Sequence, residues 1–65
     1  MKISKVKELN GFRVGDRVKR RMFTGVYTIE EIYANGAVTI STPATAEDTD
    51  LVLMYWDNLA NITAA

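Results

Sequence analysis

Four cations lie within five residues, at Arg17, Lys19, Arg20 and Arg21, with Arg13 just upstream. On an extended strand, Arg17, Lys19 and Arg21 share one face while Val18 and Arg20 share the other. Three like charges along an outer face form a ribbon that suits a phosphate backbone. Tyr27, Tyr33, Tyr55 and Trp56 offer rings on which unpaired bases could stack. Arg17, Lys19, Arg20, Arg21, Tyr27 and Tyr33 are therefore the candidate nucleic-acid contacts. The plainer alternative is a solubilising outer strand whose cations meet Glu30 and Glu31. Eight basic and eight acidic residues cancel to a net charge of zero, which argues against a general polyanion binder.

Other chemistry is scarce. The chain has no histidine and no cysteine. Ser-His and Cys-His nucleophile systems cannot be assembled, and neither can disulfides or the common zinc-ligand sets. Ser4 and Ser41 are the only serines, and neither sits in a nucleophile elbow. No glycine-rich phosphate loop occurs. Glu47, Asp48 and Asp50 are hard oxygen ligands, but they lack the glycine and the distal bidentate glutamate of a calcium loop, so they read as a solvated loop. Glu30-Glu31 reads as charge on a strand edge, which discourages edge-to-edge pairing. The expectation is a protein with no catalytic residues, no cofactor and no metal.

A second candidate surface is apolar. In Leu51-Val52-Leu53-Met54-Tyr55-Trp56, alternate side chains point to opposite faces. Leu51, Leu53 and Tyr55 fill the core, or Val52, Met54 and Trp56 do; the pattern fits either. The other set stays outside unless an N-terminal segment folds back over it with Ile3, Val6 and Leu9. Left uncovered, it marks a partner or self-association surface. Val52, Met54, Tyr55 and Trp56 are the candidate protein-binding residues, and Met and aromatic side chains are enriched in interface cores.

The elements that must position these residues are mostly strands. Ile3, Val6 and Leu9 recur every three residues before Asn10-Gly11, which fits a short helix stopped at Gly11 or an irregular lead-in strand. From Phe12 onward the signals are β. Gly15-Asp16 turns the chain into a strand at Val18, and residues 22 to 25 form a loop. Val26 to Tyr33 is β-branched and aromatic. Ile29 and Ile32 within it are three apart, so a bulge at Glu30-Glu31 is needed to bring both to the core. Asn35-Gly36 predicts a two-residue type I′ hairpin turn, with Ala37 to Ser41 as the partner strand. A polar loop follows, then the strand from Leu51 to Trp56. Leu59 and Ile62 suggest one 3-10 turn before a short last strand.

This layout resembles an SH3-like barrel over roughly residues 12 to 62. The resemblance rests on Gly15-Asp16-Arg17-Val18, the strand opened by Gly25, the Asn35-Gly36 hairpin, the variable loop and the Leu59/Ile62 close. It implies an all-β barrel of about five strands, with a lead-in over 1–11, a barrel over 12–62 and a frayed tail over 63–65. It also implies a small binding module, of the kind found among KOW and Tudor-like domains and small phage, plasmid or bacterial accessory proteins. Type II dihydrofolate reductases are similar around Gly15 to Arg20 and at Val52-Leu53-Met54-Tyr55. Where that family carries a pore-lining glutamine this chain has Leu53, and the step from Tyr55 to Leu59 is one residue shorter.

With 65 residues there is room for one core, and a domain of this size buries only about 60% of its unfolded surface. Self-association is a common supplement at this size. The charged start Met1-Lys2-Ile3-Ser4-Lys5 leads into no apolar run, and no segment approaches the roughly 18 apolar residues of a span. The expectation is a cytoplasmic protein away from membranes. It acts without catalysis, through a protein partner or itself, or alternatively through nucleic acid.

Overall fold

A computed structural model describes residues 3–44 and 51–65. It is mostly strand: β1 (Lys5–Val6), β2 (Glu8–Leu9), β3 (Phe12–Arg13), β4 (Arg17–Arg20), β5 (Tyr27–Tyr33), β6 (Ala37–Pro43), β7 (Val52–Asn58) and β8 (Ile62–Ala64). A single 3-10 turn, Leu59–Asn61, joins the last two strands as the sequence suggests, with the Asn58 side chain capping it through the Ala60 amide. The main sheet runs β7-β6-β5-β4-β8, and β1 adds to β5. All pairings are antiparallel. The sheet is open, with β7 and β8 at its two ends.

β5 organises the fold. Thr28 and Ile29 pair with Ser41 and Ile40, but Glu31 and Ile32 pair with Thr39 and Val38, so Glu30 is one residue extra. This is the bulge that the Ile29/Ile32 spacing requires, and both isoleucines are fully buried. One side of β5 meets β4 at Tyr27 and Thr28, then β1 at Ile32 and Tyr33. Ile29, between those stretches, exchanges hydrogen bonds with Gly15 and Asp16. Val18, Val38 and Ile40 share the core with these two isoleucines, and Tyr27, Leu59 and Ile62 close its margins.

Of the two readings of the N-terminal segment, helix or irregular strand, the strand is the one observed. Residues 8 to 13 form a β2–β3 hairpin with Leu9 opposite Phe12. Asn10 and Gly11 are its two turn residues, at φ 54° and 84°, the positive pair that a two-residue type I′ turn demands. The three-residue recurrence of apolar positions arises because a bend at Lys7 separates two short strands. Val6, Leu9 and Phe12 pack against the main core, so they do not cover the 51–56 strand.

Two expectations are corrected. At Asn35-Gly36 only the glycine has positive φ, 93°. The Gly36 amide donates to the Tyr33 carbonyl, and the Ala37 amide to Asn35 Oδ1. The result is a three-residue loop with glycine in the left-handed position, not a type I′ turn. Residues 63 and 64, expected to fray, lie in β8 opposite Lys19 and Val18, and the Ala65 amide donates to the Arg17 carbonyl. Backbone pairing to β4 holds this segment where its small side chains would not.

Candidate docking surface

Register decides the parity of β7. Tyr55 lies opposite Ile40 and Asp57 opposite Val38, both fully buried core residues. Leu53, Tyr55 and Asp57 therefore belong to the core-side face, and Val52, Met54 and Trp56 to the outer face. Yet every residue from Leu51 to Trp56 is exposed, by between 39% and 66%. Leu51 and Leu53 stay open because the hairpin outruns the strands beneath it. β5 is paired to β6 only as far as Thr28 opposite Ser41. Beyond that point β6 and β7 continue as a two-stranded arm to Pro43 opposite Val52.

One edge of this arm is also open. The Ala44 amide donates to the Leu51 carbonyl, and the Leu59 amide to the Gly36 carbonyl. In an antiparallel ladder, the residues that exchange hydrogen bonds with the neighbour alternate with those that point away. Leu53, Tyr55 and Asp57 thus bond β6, while the amides and carbonyls of Val52, Met54 and Trp56 point to the free edge. No described strand pairs there. The usual protections of an edge are lysine, proline, a bulge or an inward charge. None falls within Leu51 to Trp56.

The base of the arm is pinned from the core side. Arg20 Nε donates to Asp57 Oδ2 at 2.7 Å, with both side chains only 10% exposed. The guanidinium carbon sits 4.0 Å from the Phe23 ring centroid, 5.3 Å from Tyr27 and 5.2 Å from Tyr55. Tyr27 meets Tyr55 edge-on at 6.2 Å. Burial opposes charge on Asp57, but hydrogen bonds from Arg20, the Asn58 amide and Asn61 outweigh it and hold the carboxyl below its ordinary range. Burial likewise opposes the Arg20 charge, and its bonds to Asp57 and Tyr27 raise it above its ordinary value.

The outer face is a polar centre beside an apolar edge. Ser41 donates to Glu30 at 2.9 Å and Thr39 to Glu31 at 3.3 Å. Glu31 pairs with Lys5 and accepts from Tyr33. The hydrogen bond from Lys5 is the main cause that holds Glu31 below its ordinary carboxylate range. Tyr33 lies against Trp56 with ring centroids 5.5 Å apart. The two glutamates therefore engage their own strand neighbours rather than the cations of β4.

This arrangement divides the candidate residues. Val52, Met54, Tyr55 and Trp56 share one strand and one exposed edge. Arg17 and Lys19 are exposed, as is Arg21 just past β4, and none has an ion-pair partner among the described residues. Arg20 is withdrawn into the ion pair, and Tyr27, only 8% exposed, is part of the core. Tyr33 is half-buried against Trp56, beside Glu31. Arg17 and Lys19 on β4 are thus separated from Trp56 on β7 by β5 and β6, while Arg20 meets the Tyr27 and Tyr55 rings on the core side. Asp57 is the residue the sequence reading missed. Arg20 faces inward by strand alternation and so requires an inward carboxylate, which is the signal that could have found it.

Among the described residues no three Asp or Glu side chains gather as a metal site. Glu47, Asp48 and Asp50 lie outside the described residues. No described helix is long and apolar enough to cross a membrane. Comparison with protein-family models, curated proteins and solved structures finds no match to this chain.

Proposed function

We propose that this chain is a non-enzymatic binding module of SH3-like plan that docks a protein through β7. The observation that carries the reading is the exposure of six consecutive apolar residues, Leu51 to Trp56, on a sheet edge that no described strand pairs. Contiguous apolar surface of this kind on a small domain marks an interaction site. The SH3-like plan is supported by where its expected features fall. Gly15-Asp16 turns into β4, the bulge bends β5, a hairpin leads to β6, and the 3-10 turn returns β8 to pair with β4.

Nucleic-acid binding through Arg17, Lys19 and Arg21 is the second reading, favoured by their exposure without described ion-pair partners. The two differ in salt response, because phosphate contacts weaken steeply with salt whereas apolar docking does not. Affinity capture from native extract separates them. Proteins retained by the wild type are expected to be lost with Trp56→Asp and kept with Lys19→Glu/Arg21→Glu, with or without nuclease. Retention of nucleic acid that is lost in the charge-reversal variant, with Trp56→Asp behaving as wild type, would replace the docking reading by the second.

A further inference from the structure

We infer that the occupant of β7 is a second copy of the same strand, paired antiparallel about a two-fold axis through Met54. The inference rests on the docking reading and specifies its partner. The outward backbone groups set the register. Toward the C-terminal end the run stops at Asn58, whose amide bonds Asp57 Oδ1 at 2.7 Å and whose side chain caps the 3-10 turn. Toward the other end, Val52 is the first outward position among the described residues, and Leu51 accepts from the Ala44 amide. Val52, Met54 and Trp56 remain, and Met54 is their centre.

A two-fold axis at Met54 places Met54 on its own copy, Val52 opposite Trp56 and Leu53 opposite Tyr55. Each of the three outward residues then meets an outward residue, so every free amide and carbonyl in the run gains a partner. Val52 fits beside the larger Trp56 on the outer face, where the Tyr33 ring extends the contact. Leu53 meets Tyr55 on the core side. No charged residue lies between Leu51 and Trp56, and Asp57, next in line, is neutralised by Arg20. The chain's net charge of zero adds no repulsion between copies. Leu51 to Trp56 are each 39% to 66% exposed in the single chain, which leaves apolar surface on both faces beside the shared edge. An isologous contact also consumes the edge and closes the assembly at two.

Sedimentation equilibrium tests the register. Wild-type protein is expected at twice the 7.3 kDa chain mass. Met54 is 56% exposed on the outer face, so Met54→Lys and Met54→Asp are tolerated by the fold. Each places like charges face to face on the axis and is expected to weaken association at least ~100-fold. Mixing the two variants is expected to restore the double mass, because Lys then meets Asp. A monomeric wild type at about 1 mM, where an interface weaker than ~4 kcal/mol would dissociate, overturns the inference. So does an assembly larger than two, a dimer that survives either substitution, or a mixture that stays monomeric. A monomeric wild type that captures another protein through Trp56 sinks only the second copy and leaves the docking reading standing.

Discussion

Asp57→Ala should destabilise the fold by about 3 kcal/mol, the lower end for stranding one member of a buried ion pair. A domain of this length has only about 3 to 10 kcal/mol in total, so the variant should be partly unfolded near room temperature. The cost is large because the Arg20 guanidinium stays enclosed by Phe23, Tyr27 and Tyr55 with its carboxylate gone. Removing both charges is the control. Arg20→Met/Asp57→Leu should be more stable than Asp57→Ala, since no buried charge is left alone. The pH dependence has a definite sign. The Asp57 carboxyl titrates lower in the folded chain than in the unfolded one. Its contribution is therefore fully present above the unfolded value, about pH 4, and is lost as pH falls through the folded value. Urea midpoints measured from pH 7 to pH 2 should fall on the acid side, and Asp57→Asn should flatten that fall. Equal midpoints for wild type and Asp57→Ala would refute the structural role of the pair.

Ile32→Ala should cost about 3 to 5 kcal/mol, the penalty for emptying a fully buried aliphatic site opposite Val38. Deleting Glu30 should be much milder, because without the extra residue Glu31 and Ile32 still meet Thr39 and Val38, now on a regular strand. Strand alternation then carries Ile29 and Ile32, two apart in the shortened chain, to the same core face. Glu30→Ala keeps the residue count and loses only the acceptor for Ser41. It should cost about 1 kcal/mol, the usual worth of one hydrogen bond. The contrast between deletion and substitution isolates the bulge from the side chain. A Glu30 deletion as costly as Ile32→Ala would mean that the two strands cannot keep this register without the bulge.

The parts of this fold legible in the sequence were those governed by local geometry. The Ile29/Ile32 spacing demands a bulge whatever the rest of the chain does, and Leu59 with Ile62 places the 3-10 turn. Local signals failed where two short elements share the period of another. Val6 and Leu9 are spaced as on a helix, yet a bend at Lys7 puts them on two strands facing the same core. The two Asn-Gly pairs exchanged roles for a related reason. Turn type depends on how many residues the flanking strands leave unpaired, which the dipeptide alone does not specify. Pairing leaves two at Asn10-Gly11 and three at Ala34-Asn35-Gly36.

The candidate surface was legible as a run of apolar residues but not as a geometry. Which face of β7 turns inward depends on its register with β6, and that register brings Asp57 to Arg20, far away in the chain. Neither residue carries a local mark of the other, because 36 residues of chain lie between them. The cationic run suffered the converse error. Counting charges joined Arg20 to Arg17, Lys19 and Arg21, whereas strand alternation had already placed it on the opposite face. Once Arg20 is withdrawn and Arg17 and Lys19 are separated from Trp56 by β5 and β6, the apolar edge is the better-formed surface.

Amide hydrogen exchange along β7, measured residue by residue at low and high protein concentration, tests the docking edge most directly. The Leu53 and Tyr55 amides bond β6 and should be protected at both concentrations. The Val52, Met54 and Trp56 amides point to the free edge. They should exchange freely in dilute protein and gain protection together as concentration rises. Trp56, the single tryptophan, should shift its emission to the blue in parallel. Alternate amides that stay unprotected at every concentration, with emission unchanged, would contradict the account of β7 as the edge at which two copies meet.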